Sequence, residues 1–170
     1  VDLEWENIAV FLNDERWVPE TDARSNTALI KQRLIRGRAA KANLIPLYAA
    51  TPRPEDALDA LSKAIAPHLP ISVLLLGMGT DMHTASLFPG ADRLADALAP
   101  DAPILLPMRA EAAGEPRVTL TARVLRDAMS CHILITGAEK RTALERAHGL
   151  SEMEAPVKAV LANATVHWAE

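Results

Sequence analysis

Cysteine is nearly missing from this sequence: Cys131 is the single thiol in 170 residues. Alone it cannot close an intrachain disulfide or build a cysteine zinc site, so a reducing compartment, the cytoplasm, is the expectation. Glycine and proline are sparse, at 7 and 12 residues, which excludes a fibrous chain. Neither sign of charge dominates, since 18 Lys and Arg face 22 Asp and Glu for a formal net of −4. That balance gives no bulk electrostatic case for binding nucleic acid or an anionic membrane. The longest apolar run, from Ile71 to near Gly77, is far too short to span a bilayer. The acidic start VDLEWEN lacks the basic and apolar parts of a signal peptide. An initiator Met is missing as well, and an incomplete N-terminus is the expectation.

What is present is an apolar fraction of 49%, enough for one domain with a sizeable core and too much for a disordered chain. Short β-rich runs at Ile8–Leu12, Ile71–Leu76, Ile104–Pro107, Val118–Leu120, His132–Thr136 and Thr165–Trp168 read as strands. The run ISVLLL is apolar throughout, as in a strand covered on both faces. Helical spacing or capping residues mark Asn26–Ile35, Pro54–His68, Ala122–Met129, Ala138–His148 and Pro156–Leu161, and a further helix is expected from near Thr84. Strands and helices alternate without a repeat or linker. The expected fold is a single α/β domain, three-layered and Rossmann-like, with a largely parallel sheet and helices on both faces.

In such sheets ligands bind beyond the carboxyl ends of the strands, and two polar clusters fall there. The first is Asn13-Asp14-Glu15-Arg16-Trp17, which brings a guanidinium to the sheet edge, where it can fork onto phosphate or carboxylate oxygens. A solvated loop in which Arg16 pairs with Asp14 or Glu15 is the alternative. The second is Gly77-Met78-Gly79-Thr80-Asp81-Met82-His83, whose glycines allow a ligand to approach the backbone ahead of a helix N-terminus suited to an anion. Met82 occupies the third glycine position of GxGxxG, so a dinucleotide site is poorly supported. His83 can accept a proton from water near neutral pH, and Asp81 can hold its tautomer. A helix cap or a satisfied loop histidine is the other reading. His68 and His148 lie near helix ends, while His132 and His167 lie in strands. No metal-ligand spacing occurs, and Ser86 lacks the G-x-S-x-G elbow of a serine nucleophile. Arg117 and Lys140 add cations, Lys140 in a first helical turn where the dipole disfavours it.

Taken together and in order, FLNDERWVPETDARSN, LLLGMGTDMHTASLFPG, PRVTLT, ITGAEK and APVKAVL resemble the 6-phosphogluconolactonase family. Related glucosamine-6-phosphate deaminases share a glycine-rich Asp-Gly-His turn, but ASLFPG and DER look like the lactonase version. The resemblance implies hydrolysis of 6-phospho-D-glucono-1,5-lactone in the oxidative pentose phosphate route. It implies His83 as the general base with Asp81 beside it, and Arg16, Arg117 and Lys140 on the anionic substrate. Asp14 and Asn26 would position, Gly77 and Gly79 would line the turn, and no metal or organic cofactor is needed. A sugar-phosphate deaminase or isomerase, and a non-catalytic sugar-phosphate binding module, are the alternatives. Two departures accompany the resemblance. Met82 stands where the family commonly has Gly, which costs roughly 1 kcal/mol or more if φ is positive. The family's N-terminal portion, with a glycine- and serine-rich phosphate turn, would precede Val1, and its lack would expose a sheet edge.

Overall fold

The computed structural model describes residues 3–170, so Val1 and Asp2 of the acidic start lie outside the described residues. The chain runs through β1 (Ala9–Phe11), β2 (Asp14–Arg16), α1 (Asn26–Arg33), β3 (Asn43–Ile45), α2 (Leu58–Ile65) and β4 (Leu74–Gly77). It continues through α3 (Leu94–Leu98), β5 (Leu105–Met108), β6 (Arg117–Leu120), α4 (Ala122–Arg126) and β7 (Cys131–Thr136). It closes with α5 (Ala138–Ala147), α6 (Lys158–Leu161) and β8 (Ala164–Ala169). The α/β class holds. Parallel pairing joins β1 to β3 and orders β4-β7-β8, whereas β2-β6-β5 is antiparallel.

Several elements differ from their sequence reading for local reasons. The helix expected over Pro54–His68 is α2 flanked by 3₁₀ turns at Pro54–Asp56 and Ala66–His68, because Pro67 lacks the N–H that would continue it. No helix begins near Thr84. Met82 and Ala85 take positive φ of 66° and 48°, Thr84 bridges Leu87, and Pro89 follows. The next helix is α3, beyond Gly90, so no helix N-terminus follows the glycine turn directly. The DER segment forms β2 instead of a loop, paired residue for residue with β6.

Buried apolar side chains form a contiguous cluster that includes Leu61 and Ile65 of α2, Leu76 of β4, Leu120 of β6, Leu125 of α4 and Ile133 of β7. Strand periodicity of two sorts β4 and β7 between this cluster and the outside. Leu74, Leu76, Ile133 and Ile135 are buried, while Val73, Leu75 and Leu134 are 67%, 60% and 53% exposed. The run Ile71–Leu76 is therefore covered on one face only, a correction to the expectation of cover on both. An apolar cavity of about 320 Å³ separates β1 from β4, lined among others by Val10, Leu12, Ile30, Val73 and Leu75. Among the described residues no helix is long and apolar enough to cross a membrane.

The two faces of β7 carry opposite expectations for stability. Ile133→Ala removes a fully buried side chain and is expected to cost about 2–5 kcal/mol. Its neighbour Leu134→Ala, on the uncovered face, is expected to stay within about 0.5 kcal/mol. Urea unfolding of both variants checks this; equal losses would contradict the assignment of faces.

Candidate active site

Antiparallel pairing of β2 with β6 sets Asp14 opposite Thr119 and Arg16 opposite Arg117. Alternation puts Asp14 and Arg16 on one side of β2 and Glu15 on the other. Glu15 is fully buried, and among the described residues no cation pairs with it. Its carboxylate instead accepts hydrogen bonds from the N–H groups of Arg16 (2.7 Å), Asn26 (2.8 Å) and Thr27 (2.7 Å). The hydroxyls of Thr27 (2.7 Å) and Ser25 (3.2 Å) complete the set. Two of those donors are the first N–H groups of α1, which Ser25 also caps by accepting from the Ala28 N–H. Glu15 thus fastens α1 to β2 and sets Asn26 beside Arg16.

On the opposite side of β2, Arg16 Nη1 donates to Asn26 Oδ1 at 3.1 Å and to the Arg24 carbonyl at 2.6 Å. Its Nε lies 3.3 Å from Glu115. The Arg16 guanidinium therefore pairs with neither Asp14 nor Glu15, contrary to the alternative left open from sequence. Asp14 belongs to Ser86, whose hydroxyl donates to Oδ2 at 2.6 Å, and to Arg117, whose Nη1 is 3.4 Å away. Burial pushes the Asp14 carboxyl above its ordinary value, against the Ser86 hydrogen bond and the Arg117 charge, which pull it down. Burial likewise lowers the Arg117 guanidinium, whose Nε is buried without a partner among the described residues.

The glycine turn brings the imidazole to this face. His83 Nδ1 donates to Asp81 Oδ1 at 2.6 Å, and that carboxylate also accepts the His83 backbone N–H at 3.2 Å. An ionised carboxylate can only accept, so Nδ1 carries a proton, and in the neutral imidazole Nε2 is then the atom with the free lone pair. Gly79 is where this pair touches the backbone: a Cβ there would overlap His83 Nδ1 and Asp81 Oδ1. Met82 holds its left-handed conformation with its side chain in the core and its carbonyl accepting the Val157 N–H at 3.0 Å. Burial of the thioether offsets the backbone strain where a glycine would have none.

One cavity of about 320 Å³ collects Asp14, Arg16, Asn26, Gly77, Gly79, His83, Arg117 and Lys140, with Asn13, Met78 and Ala85 completing its wall. Asp81 stands behind His83 and does not line it. The residues singled out in the sequence thus converge on one place. From the sequence Glu15 is weighed only as a partner for Arg16 and Ser86 only as a nucleophile, and Phe88 and Glu115 are passed over. Glu15 turns inward only because β2 pairs with the distant β6, and the Glu115 and Ser86 contacts likewise span distant segments with no local signal. Among the described residues His68 and His148 stand at helix ends, and His132 Nδ1 meets His167 Nε2 at 3.0 Å away from the cavity.

Two variants probe this arrangement. Glu15→Gln turns an amide NH₂ towards N–H donors and is expected to cost about 2 kcal/mol or more, read from the urea midpoint. For Asp14 the sign follows from its raised folded-state value: between 3.8 and that value the native state holds more proton than the unfolded chain. Wild type is therefore expected to gain melting temperature relative to Asp14→Asn as pH falls from neutral towards about 4. A difference that stays flat with pH would contradict the burial argument.

Comparison with known proteins places this geometry in context. The family described as glucosamine-6-phosphate isomerases/6-phosphogluconolactonase matches residues 1–168. A 6-phosphogluconolactonase of Rhizobium meliloti is 41% identical over 175 residues, covering 99% of this chain and 75% of that protein. One from Pseudomonas aeruginosa is 42% identical, covering 98% of this chain and 71% of its own length. The crystal structure of a 6-phosphogluconolactonase from Shewanella baltica superposes with a TM-score of 0.95 at 27% identity, over 100% of this chain and 75% of that one.

Proposed function

Because the chain belongs to the glucosamine-6-phosphate isomerase/6-phosphogluconolactonase family, we propose that it hydrolyses 6-phospho-D-glucono-1,5-lactone to 6-phosphogluconate, in the oxidative pentose phosphate route. The observation that carries the reading is His83: an imidazole held through Nδ1 by Asp81, on a cavity that Arg16, Arg117 and Lys140 also line. A base facing three cations suits an anionic ester and water.

In the reaction His83 Nε2 takes a proton from water, and the water oxygen forms a bond to the lactone carbonyl carbon. The carbonyl electrons move onto oxygen, where a cation of the cavity or a loop N–H steadies the tetrahedral oxyanion. Collapse breaks the bond to the ring oxygen, which takes the proton back from the imidazolium. Asp81 stabilises that imidazolium and keeps the tautomer. Arg16, braced by Asn26 and Glu115, and Arg117, with a buried Nε unused, supply positive charge for the phosphate and ring oxygens. Lys140 adds an exposed-side charge from the first turn of α5. Asp14 acts by orienting Arg117 and Ser86. An activated ester needs only base and charge, so the reading requires no cofactor. We place the enzyme in the cytoplasm, where its buried free thiol Cys131 stays reduced. We also read residues 1–170 as one α/β domain.

The test is hydrolysis of freshly generated lactone, corrected for spontaneous opening, by this chain and by a version extended at its N-terminus. His83→Ala is expected to lower kcat about 10²–10⁴-fold, and Arg16→Ala to raise KM chiefly. Turnover unchanged in His83→Ala would remove the base, and an unchanged KM in Arg16→Ala would remove the anion contact. Release of ammonia from an amino-sugar phosphate would move the chain to the deaminase branch of its family.

A further inference from the structure

We propose that Phe88 is a positioning residue for this chemistry, acting through His83, an inference that rests on reading His83 as the base. Phe88 is only 4% exposed, and its ring centroid lies 4.4 Å from that of His83 with the planes tilted by 36°. The same ring has the Arg117 Cζ 5.7 Å from its centroid. One buried aromatic ring therefore touches both the base and a cation of the cavity.

The Asp81 hydrogen bond holds the imidazole at a single atom, Nδ1. The outer torsion of a histidine is broad, so one hydrogen bond leaves the ring free to swing about that anchor. Phe88 closes off the swing on one side and so holds the imidazole where it lines the cavity. Its own place is secure: Leu87 before it is fully buried, and its carbonyl accepts the Ala91 N–H at 3.1 Å. The stack also has a chemical consequence. As His83 takes the proton from water it becomes a cation, and an aromatic face attracts a cation more than a neutral ring. The contact thus strengthens between ground state and transition state, which is the condition for an effect on kcat. Arg117 on the same ring is already balanced by Asp14, at 3.4 Å, so the ring is not left facing two uncompensated charges. Phe88 is not among the residues that line the cavity, and its contribution passes through the imidazole.

Phe88→Leu is expected to lower kcat about tenfold, a loss of about 1.36 kcal/mol in transition-state stabilisation, with KM within about twofold. Phe88→Met keeps most of the volume without the ring and is expected to behave alike. It serves if the leucine variant fails to fold, with circular dichroism as the check on both. Since Asp81 and Phe88 act on the same imidazole, the kcat losses of Asp81→Asn and Phe88→Leu are expected to combine to less than their product. A purely structural role would give multiplying losses or a KM change. Unchanged kcat in a folded Phe88 variant, losses that multiply with Asp81→Asn, or an effect confined to KM would each overturn the proposal. Full activity in His83→Ala would instead strike the base itself, so the two failures are distinct.

Discussion

The site depends on one buried carboxylate that has no partner cation among the described residues. Glu15 sits on the inward side of a three-residue strand and is satisfied wholly by N–H and hydroxyl donors from β2 and the first turn of α1. A buried anion is tolerable only when its lone pairs are filled, and here the positive end of a helix fills them. That requirement fixes where α1 starts relative to β2. It therefore fixes Asn26, and through Asn26 the guanidinium of Arg16. The outward neighbours of Glu15 inherit their positions from a group that never meets solvent. Alternation along the strand converts a folding constraint into a cavity wall.

A second constraint comes from the turn after β4. Gly79 permits the His83–Asp81 pair to lie against the backbone, and two non-glycine residues, Met82 and Ala85, hold left-handed conformations on either side of His83-Thr84. Such strain persists where surrounding contacts over-determine it. Here those contacts are the buried Met82 side chain, the Val157 N–H on the Met82 carbonyl, and the Ser86 bonds to Asp14 and Thr119. The last two tie the turn to the β2–β6 pair. His83, Arg16 and Arg117 are thus held on rigid strands and on a turn docked against them, which is how a site keeps its geometry before a substrate arrives.

The long apolar strands and the glycine turn were legible in the sequence, because β4 and β7 carry continuous β-rich runs and because DMH after two glycines is an unusual concentration of chemistry. The site residues were legible as types at strand ends, and the fold gathers them. Other features depend on partners distant in sequence. The segment DER is too short and too charged to signal a strand alone; it becomes one only when Arg117–Leu120 pairs with it. The NLI strand was passed over for the same reason. The helix expected at Thr84 failed because positive φ at Met82 and Ala85 is a tertiary outcome that no propensity encodes. The alternation hidden in ISVLLL misled in the other direction: apolar residues throughout suggested two covered faces, yet Val73 and Leu75 face outwards.

The account turns on His83 presenting an unprotonated Nε2 to the cavity while Nδ1 stays bonded to Asp81. Two-bond proton–nitrogen correlation spectra of histidine-labelled protein near neutral pH, recorded with and without 6-phosphogluconate, read that tautomer directly. The account predicts a His83 signal with the proton on Nδ1, and an Nε2 resonance that moves when the product enters. A proton resident on Nε2, or an Nε2 resonance indifferent to the product, would contradict it.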